Sequence, residues 1–397
     1  MRFAELAKKV KKSVSALTVT ALLLTGVTSS VYAEEKNPPP KVVQILDFGY
    51  YGYPLVLDDQ GNVWGMSISS LAYRKNLLPK RANFVKVENM SNVVSISGGR
   101  YGAAIKEDGT MWAIEFTDLT KDYNEKWGIY APAHITKVPG LKNIVHTRGP
   151  GTAVDRDGRL WLWKSISEHT KKLLDWEKYF TEEKEPSVVK GLDGVKDLLA
   201  TMILKEDGTV WNWKWEPRNG SFIDMIRTTS PVQIEELSDI VKLSGAGTTY
   251  NYAALKKDGT VWIWGGGKLS PPEHQGYGKP VVPTQVEGLS DIVDVSISEN
   301  HLLALKEDGT VWSMGYFPRK AEHLFASNYE EPDNYRPPHQ VEGLTDVGAV
   351  YTHNKTSAVI KKDGTLWMWG LDMHGLFGPT DFSIQPTPVQ VLLRPDL

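Results

Sequence analysis

Two residue types recur at fixed positions in a repeated phrase of this chain, and both can take part in chemistry. The phrase is an apolar run, an Asp-Gly pair and a second apolar run with tryptophan, as in LKEDGTVWNW and LKKDGTVWIW. A tryptophan ring can stack on a sugar, and an aspartate can ligate a metal ion. The repeated tryptophans are Trp64, Trp112, Trp161, Trp211, Trp262, Trp312 and Trp367.

The constant position of these tryptophans favours packing between repeated units over sugar binding, because an indole has a large area to bury. Trp215 lies outside the repeated position and is the better candidate for stacking on a ligand. The repeated aspartates occupy turns and lack the Asp-x-Asp-x-Asp-Gly spacing of a calcium loop. The nine histidines form no zinc motif, and no nucleophile motif or phosphate-binding loop is present. We therefore expect no metal, no cofactor and no catalytic residue.

The Asp-Gly pair predicts a tight hairpin, which we interpret as a type I′ turn. Gln60 replaces the aspartate in the first copy. Successive turn glycines are 48 to 55 residues apart, so one unit is copied seven times. The glycines are Gly61, Gly109, Gly158, Gly208, Gly259, Gly309 and Gly364.

Each copy also contains two further strand-like runs, such as Pro283–Val286 and Asp291–Val295, ahead of its hairpin. In the strand after the turn, Val261 and Ile263 point to one side and Trp262 points to the other, so both faces must be covered. Four antiparallel strands in each of seven units predict an all-β, seven-bladed β-propeller over residues 41–397. The first and last blades should abut or share strands at the closure of the ring.

The phrase Ala-Leu-Lys-Glu-Asp-Gly-Thr-Val-Trp at 304–312, with Pro-x-x-Val and Gly-Leu-x-x-Ile-Val segments, resembles the regulator of chromosome condensation repeat. The resemblance covers nearly all of residues 41–397 and implies a seven-bladed propeller. Family members usually continue from the tryptophan strand into Gly-x-Asn-x-x-Gly-Gln-Leu-Gly, which only the segment 370–378 approaches here. The resemblance therefore supports the scaffold more than any activity of a particular member.

The loops on one face of such a propeller should vary in sequence and length between the copies. This face carries the links between the first and second strands and the inserts after the third strand. Repeat proteins place their binding residues on the face that carries variable loops. We predict partner binding there by aromatic, amide and cationic residues, although each residue singly could serve only to finish a turn. The predicted set is Tyr50, Tyr51, Arg100, Tyr101, Arg148, Trp215, Tyr250, Asn251, Asn300, His301, Phe317, Tyr329, His353 and Lys355.

The first 33 residues have a basic start, an apolar stretch from Val14 to Val27 and small residues ending at Ala33. This pattern predicts a secretory signal peptide of bacterial type, because the stretch is shorter than a membrane span. Residues 34–40 read as a linker. Removal of the leader would change the formal charge from −3 to −7, since it carries five basic residues and one acidic residue. The acidic mature chain disfavours nucleic-acid binding.

We therefore expect a secreted, monomeric, non-catalytic module that binds an extracellular or cell-surface protein through one propeller face. One alternative is a cell-wall glycan binder, hydrolase or lyase that acts at the channel mouth. A third is guanine nucleotide exchange on a GTPase, which the resemblance implies and which export disfavours. The chain has no cysteine, so disulfides and an N-terminal lipidated cysteine are excluded.

Overall fold

A computed structural model of the chain divides it into two units, Met1–Pro39 and Pro40–Leu397. The structure describes residues 40–46, 54–68, 82–98, 101–118, 130–149, 151–163, 185–199, 201–213, 229–246, 251–265, 267, 269, 282–316, 335–372, 376 and 383–393. The predicted leader and nearly all of the predicted linker lie outside these residues.

The described residues form seven sheets of four strands each. The first three sheets contain β1 Val42–Leu46, β2 Leu55–Asp58, β3 Val63–Ile68, β4 Ala82–Lys86; β5 Val93–Gly98, β6 Tyr101–Lys106, β7 Met111–Asp118, β8 Tyr130–Lys137; and β9 Ile144–His146, β10 Thr152–Asp155, β11 Leu160–Leu162, β12 Ser187–Val188.

The other four sheets contain β13 Val195–Leu199, β14 Met202–Lys205, β15 Val210–Asn212, β16 Val232–Gln233; β17 Ile240–Ala246, β18 Asn251–Lys256, β19 Val261–Trp264, β20 Thr284–Gln285; β21 Ile292–Ile297, β22 His301–Lys306, β23 Val311–Tyr316, β24 Tyr335–Gln340; and β25 Val347–His353, β26 Thr356–Lys361, β27 Leu366–Asp372, β28 Ser383–Val391.

Each sheet is antiparallel, and its strands are ordered in space as they are along the chain. First strands of successive sheets contact each other, including β1 with β5, β17 with β21, and β21 with β25. Contact between β1 and β26 closes the ring. The seven-bladed, all-β propeller predicted from the repeats is therefore confirmed.

The hydrophobic core is divided into seven clusters, and each cluster lies between two neighbouring sheets. Between the fourth and fifth sheets, the buried Trp264 and the partly buried Trp262 pack with Leu204 and Leu243. On the opposite face of the same strand, Val261 and Ile263 pack against the sixth sheet. The two-sided strand predicted from the sequence is thus covered on both faces.

The hairpin turns differ from the predicted type I′ geometry. In the second sheet, Gly109 N donates to Lys106 O at 2.8 Å, and Gly109 has a φ of 75° while Asp108 is not in the positive-φ region. This is a type I turn followed by a left-handed glycine, the usual three-residue hairpin loop. Asp108 is held in place because its Oδ1 accepts a hydrogen bond from Thr110 N at 2.9 Å.

The turn glycines also join neighbouring blades. The carbonyl oxygen of Gly208 accepts a hydrogen bond from Ile240 N at 3.0 Å, and the corresponding bond from Ile292 N to Gly259 O is 3.2 Å. A Cβ atom on Gly259 would lie 3.1 Å from the backbone of Asp291, closer than side chains normally approach. Glycine is therefore needed both for its positive φ and for the close contact with the next blade.

Ring closure uses the same bond as the other junctions. Val42 N donates to Gly364 O at 2.8 Å, and residues of the first and last sheets, including Ile45 and Leu366, share one apolar cluster. Strand β1 pairs with β2, and β28 pairs with β27, so each blade is one continuous stretch of chain. Of the two predicted forms of closure, the blades abut and do not share strands.

Most of the repeated tryptophans are partly buried, with the indole packed against a core cluster, whereas Trp64 is fully part of the core. Trp64 is 5% exposed, and the partly buried Trp211, Trp262, Trp312 and Trp367 pack against the clusters. In most copies a lysine at the end of the second strand covers the ring; Lys256 Nζ lies 4.9 Å from the centroid of Trp262. The packing role predicted for these tryptophans is thereby supported, with cation–π contact on the outer face.

The indole nitrogens are satisfied in two ways. In the fifth blade, Trp262 Nε1 donates to Thr260 Oγ1 at 3.2 Å, and Thr260 Oγ1 donates to Asp258 Oδ1 at 2.7 Å. The first blade has no threonine at this position, and Trp64 Nε1 donates directly to the buried Asp58 at 2.8 Å. The blades therefore keep the same packing of the indole with different turn sequences.

Replacement of Thr260 by valine is expected to lower the free energy of unfolding by about 1 kcal/mol, because it removes the hydroxyl between Asp258 and the indole. Thr284 is a matched control, since its hydroxyl makes only a 3.4 Å contact with Val282 O. Chemical denaturation of both valine variants measures the difference. Equal stability of the two variants would contradict a structural role for the Thr260 hydroxyl.

Candidate functional site

The antiparallel order places two kinds of connection at opposite ends of the ring. The Asp-Gly turns and the links between blades lie at one end, where they form the glycine-carbonyl bonds. The links between first and second strands lie at the other end, which we call the channel mouth. Its described loops are 147–149 with 151, 298–300, and 354–355.

The channel mouth is cross-linked between the last three blades. Asn251 Nδ2 of the fifth blade donates to Ser298 O at 3.1 Å and to Glu299 O at 2.8 Å in the sixth. Ser298 Oγ donates to Asn354 O of the seventh blade at 2.8 Å. The loops that carry Asn300 and Lys355 are therefore held in place by neighbouring blades.

His301 lies at the centre of this network. Its Nε2 is 2.7 Å from Ser357 Oγ in the seventh blade, and its Nδ1 is 3.1 Å from Ser298 Oγ. Burial lowers the pKa of His301 to about 4, and a hydrogen bond to the Asn354 backbone opposes this shift only in part. The imidazole is consequently neutral at pH 7 and links two blades by hydrogen bonds.

Two buried polar atoms at the mouth are unsatisfied among the described residues, Asn251 Oδ1 and Asn300 Nδ2. Leaving a buried polar group without a hydrogen bond costs about 1–3 kcal/mol. Native structures hold few such groups, and they often mark sites where another molecule binds or the backbone is strained. The fifth and sixth blades thus contribute one acceptor and one donor that the fold does not satisfy.

A second polar cluster joins the third and fourth blades. Asp197 accepts from Arg148 Nη2 at 2.7 Å and lies 2.6 Å from His146 Nε2. Burial by itself would raise the pKa of Asp197, but the hydrogen bond from His146 and the charge of Arg148 outweigh it and lower the pKa. Arg148 remains 37% exposed in its side chain, so it lies at the surface with its charge largely balanced by Asp197.

The structure places the predicted binding residues in three groups. Asn251 and His301 are each 1% exposed and connect blades. Arg148 is exposed, and Asn300, His353 and Lys355 are half-buried at the mouth. The third group lies outside the described residues, except for the backbone of Tyr101: Tyr50, Tyr51, Arg100, Tyr101, Trp215, Tyr250, Phe317 and Tyr329. Partner binding by the set stays a prediction.

Four residues whose side chains form these clusters, His146, Asp197, Ser298 and Ser357, were missed by the sequence analysis. Arg148 and Asp197 are 49 positions apart and meet only because adjacent blades are in register. Aligning the seven copies would reveal that Gln44, His146, Asp197, Lys242 and Asp294 occupy equivalent positions in the first strands. Such an alignment could have predicted that side chains at this position meet between neighbouring blades. The ion pair between Lys242 and Asp294, in the fifth and sixth blades, is a second example.

Within the described part of the chain, no group of three or more His, Cys, Asp or Glu residues could hold a metal ion. Over the same residues, no helix has the length and apolar character to cross a membrane. The described channel mouth carries amide and charged groups, among them Asn300, Arg148 and Lys355. The protein is thus a seven-bladed propeller whose channel mouth is polar and is cross-linked by hydrogen bonds between blades.

No protein-family model matches the chain. It is 26% identical over 285 residues to the E3 ubiquitin-protein ligase HERC2 of Homo sapiens, covering 66% of this chain and 6% of HERC2. It is 33% identical over 144 residues to the mitochondrial RCC1 domain-containing protein RUG3 of Arabidopsis thaliana, covering 35% of this chain and 31% of RUG3. The chain thus spans well under two thirds of either relative. These similarities support the regulator of chromosome condensation repeat family.

Solved propellers agree with this fold. Yeast RCC1 (Prp20), in a crystal structure bound to Kap60, matches with a TM-score of 0.55 and 16% identity, covering 92% of this chain and 91% of that chain. Human WBSCR16 matches with a TM-score of 0.56 and 16% identity, covering 83% of this chain and 94% of its own. A second crystal structure of Prp20p, from Saccharomyces cerevisiae and described together with the binding of Prp20p to Gsp1p and histones, matches with a TM-score of 0.54 and 16% identity. At this identity the likeness shows the fold alone.

Proposed function

We propose that the chain is a secreted, non-catalytic interaction module that binds an extracellular or cell-surface protein through the channel mouth. The observation that carries the proposal is the set of hydrogen bonds between blades that fixes the loops 298–300 and 354–355. A surface that is already ordered loses less conformational entropy on binding. Export is supported by the leader pattern in residues 1–33.

The side chains at this mouth suit recognition of a protein surface. Arg148, Asn300, His353 and Lys355 offer amide, imidazole and cationic groups around one opening. Arginine is among the residue types that contribute most to protein interfaces. Yeast RCC1 has been crystallised with the protein Kap60 bound to it, and we extend only the general property of binding a protein to this chain.

Substituting Arg148, His353 and Lys355 together by alanine is expected to weaken partner binding at least tenfold, because each side chain is placed at the mouth by a fixed loop. The measurement is quantitative capture from culture supernatant and cell envelope with wild-type and variant chains. The matched control replaces Lys257, Glu307 and Lys362, exposed at the turn end of the ring, by alanine.

A partner that the channel-mouth variant retains and the turn-end variant loses would contradict the proposed face. Binding or cleavage of peptidoglycan fragments that depends on Arg148, His353 and Lys355 would instead favour the glycan alternative. N-terminal sequencing of secreted protein tests export, with Glu34 as the expected first residue. Retention of the full-length chain in the cytosol would argue against the extracellular part of the proposal.

A further inference from the structure

A cavity of about 580 Å³ lies between the third and fourth sheets, away from the channel mouth loops described above. One wall is the continuous segment Ser187–Leu192, which contains β12 and the link that follows it. The other wall carries Lys205, Trp211 and Trp213. Pockets of roughly 300–1,000 Å³ are typical of binding sites for small ligands or for a few residues of a peptide.

The cleft is lined by buried apolar side chains and by two lysines. Leu192 is 5% exposed and Trp213 is 1% exposed. Lys190 is exposed, and Lys205 Nζ lies 4.9 Å from the centroid of the Trp211 ring. None of the described residues that line the cavity is acidic. Lys190 and Lys205 thus both line the cleft, and Lys205 also helps to lower the pKa of Asp207, a turn residue outside the lining.

Comparison of the copies shows that this charge arrangement is peculiar to one junction. The position after the Val or Ile of each link is glutamate in four copies, Pro139 and Leu392 in one copy each, and lysine only at Lys190. In the other copies this position is acidic or uncharged, and four of them carry glutamate. The four are Glu88, Glu235, Glu287 and Glu342. The third junction therefore has a reversed charge at a position that lines its cavity.

The shape of the cleft favours an extended peptide. Strand β12 is the outermost strand of its sheet, so one edge of its backbone has no partner strand within that sheet. An extended segment can add to such an edge while its side chains enter adjacent pockets. Ser187 and Val188 of β12 offer an extended edge of two residues, about 7 Å long, before the chain turns at Lys190 and Gly191. An apolar side chain fits the floor, and a neighbouring carboxylate fits the lysine pair.

We propose that the cleft between the third and fourth blades binds a short peptide segment in which acidic and apolar side chains alternate. Carboxylates of the segment pair with Lys190 and Lys205, and apolar side chains contact Leu192 and Trp213. Partial removal from water strengthens such pairs relative to exposed ones. This site is separate from the channel mouth, so it goes beyond the proposed function and holds or fails independently of it.

The test uses the purified chain and a fluorescein-labelled synthetic peptide, Leu-Glu-Leu-Glu-Leu-Glu, with its Leu-Gln counterpart. Fluorescence anisotropy should give at least tenfold tighter binding of the glutamate peptide. The variant Lys190→Glu should weaken that binding at least tenfold, and Lys190→Gln should weaken it severalfold. The control Lys257→Glu makes the same charge change at an exposed position outside the cleft and should alter binding less than twofold.

Lys190→Glu is expected to fold normally, since four equivalent positions already carry glutamate, and its thermal unfolding should match that of the wild type. Equal binding of the two peptides, or no effect of either Lys190 variant, would overturn the proposal. Oligogalacturonate is the probe for an anionic glycan. If it bound more tightly than the peptide in a Lys190-dependent way, the site would belong to a glycan instead.

Discussion

Replacing Gly259 by alanine is expected to lower the free energy of unfolding by about 3 kcal/mol. Gly259 has a φ of 80°, and a left-handed conformation costs an L-residue roughly 1–2 kcal/mol. The added Cβ would also lie 3.1 Å from Asp291 Cα and from Ile292 N, so the next blade must shift. That shift weakens the hydrogen bond from Ile292 N to Gly259 O. Urea denaturation followed by tryptophan fluorescence measures the loss.

Gly343 provides a control that separates the two causes. It has a φ of 78°, and a Cβ built on it meets nothing within 4 Å. Alanine at this position should cost only the conformational part, about 1 kcal/mol. If the Gly259 and Gly343 variants lost equal stability, backbone strain alone would account for the result, and the close approach of blades would carry no energy.

Acidification is expected to remove about 3 kcal/mol of stability through His301. Burial lowers its pKa in the folded chain to about 4 from the ordinary histidine value of 6.5, so the folded state binds the proton less well than the unfolded state. The contribution is complete above pH 6.5, falls as the pH drops from 6.5, and is lost at about pH 4. One unit of pKa difference corresponds to about 1.4 kcal/mol.

The measurement compares wild type with His301→Gln at pH 7.5 and pH 4. The difference in unfolding free energy between the two proteins cancels the titration of all other groups. It should change by about 3 kcal/mol in favour of the variant at pH 4. A difference that stays constant with pH would contradict a buried neutral histidine between Ser298 and Ser357.

The repeated phrase was sufficient to predict the blades because it combines strand periodicity with a turn in every copy. The prediction of a type I′ turn was wrong for a specific reason. The side chain of Asp108 accepts a hydrogen bond from Thr110 N, which stabilises a type I turn with only Gly109 at positive φ. A prediction based only on the Asp-Gly pair does not take this hydrogen bond to Thr110 into account. Ring closure was left open between two forms, and strand pairing decided between them.

The candidate site residues were predicted from their positions in loops. A loop position places a residue at one end of the propeller, but it does not show whether the side chain is buried or exposed. Asn251 and His301 belong to the predicted set, yet their side chains link neighbouring blades. Whether a loop residue points outward depends on its neighbour about one repeat away, as with Arg148 and Asp197. The significance of Lys190 likewise depends on knowing that its link lines the same cleft as Lys205.

Continuous blades have a mechanical consequence. In a ring whose ends share a sheet, pulling the ends apart must first break the hydrogen bonds of that sheet. Here the junction of the first and last blades is formed by the bond from Val42 N to Gly364 O and by an apolar cluster. Tension along the chain should therefore part the annulus at this seam while all seven sheets stay intact, which gives the molecule a built-in point of lateral opening.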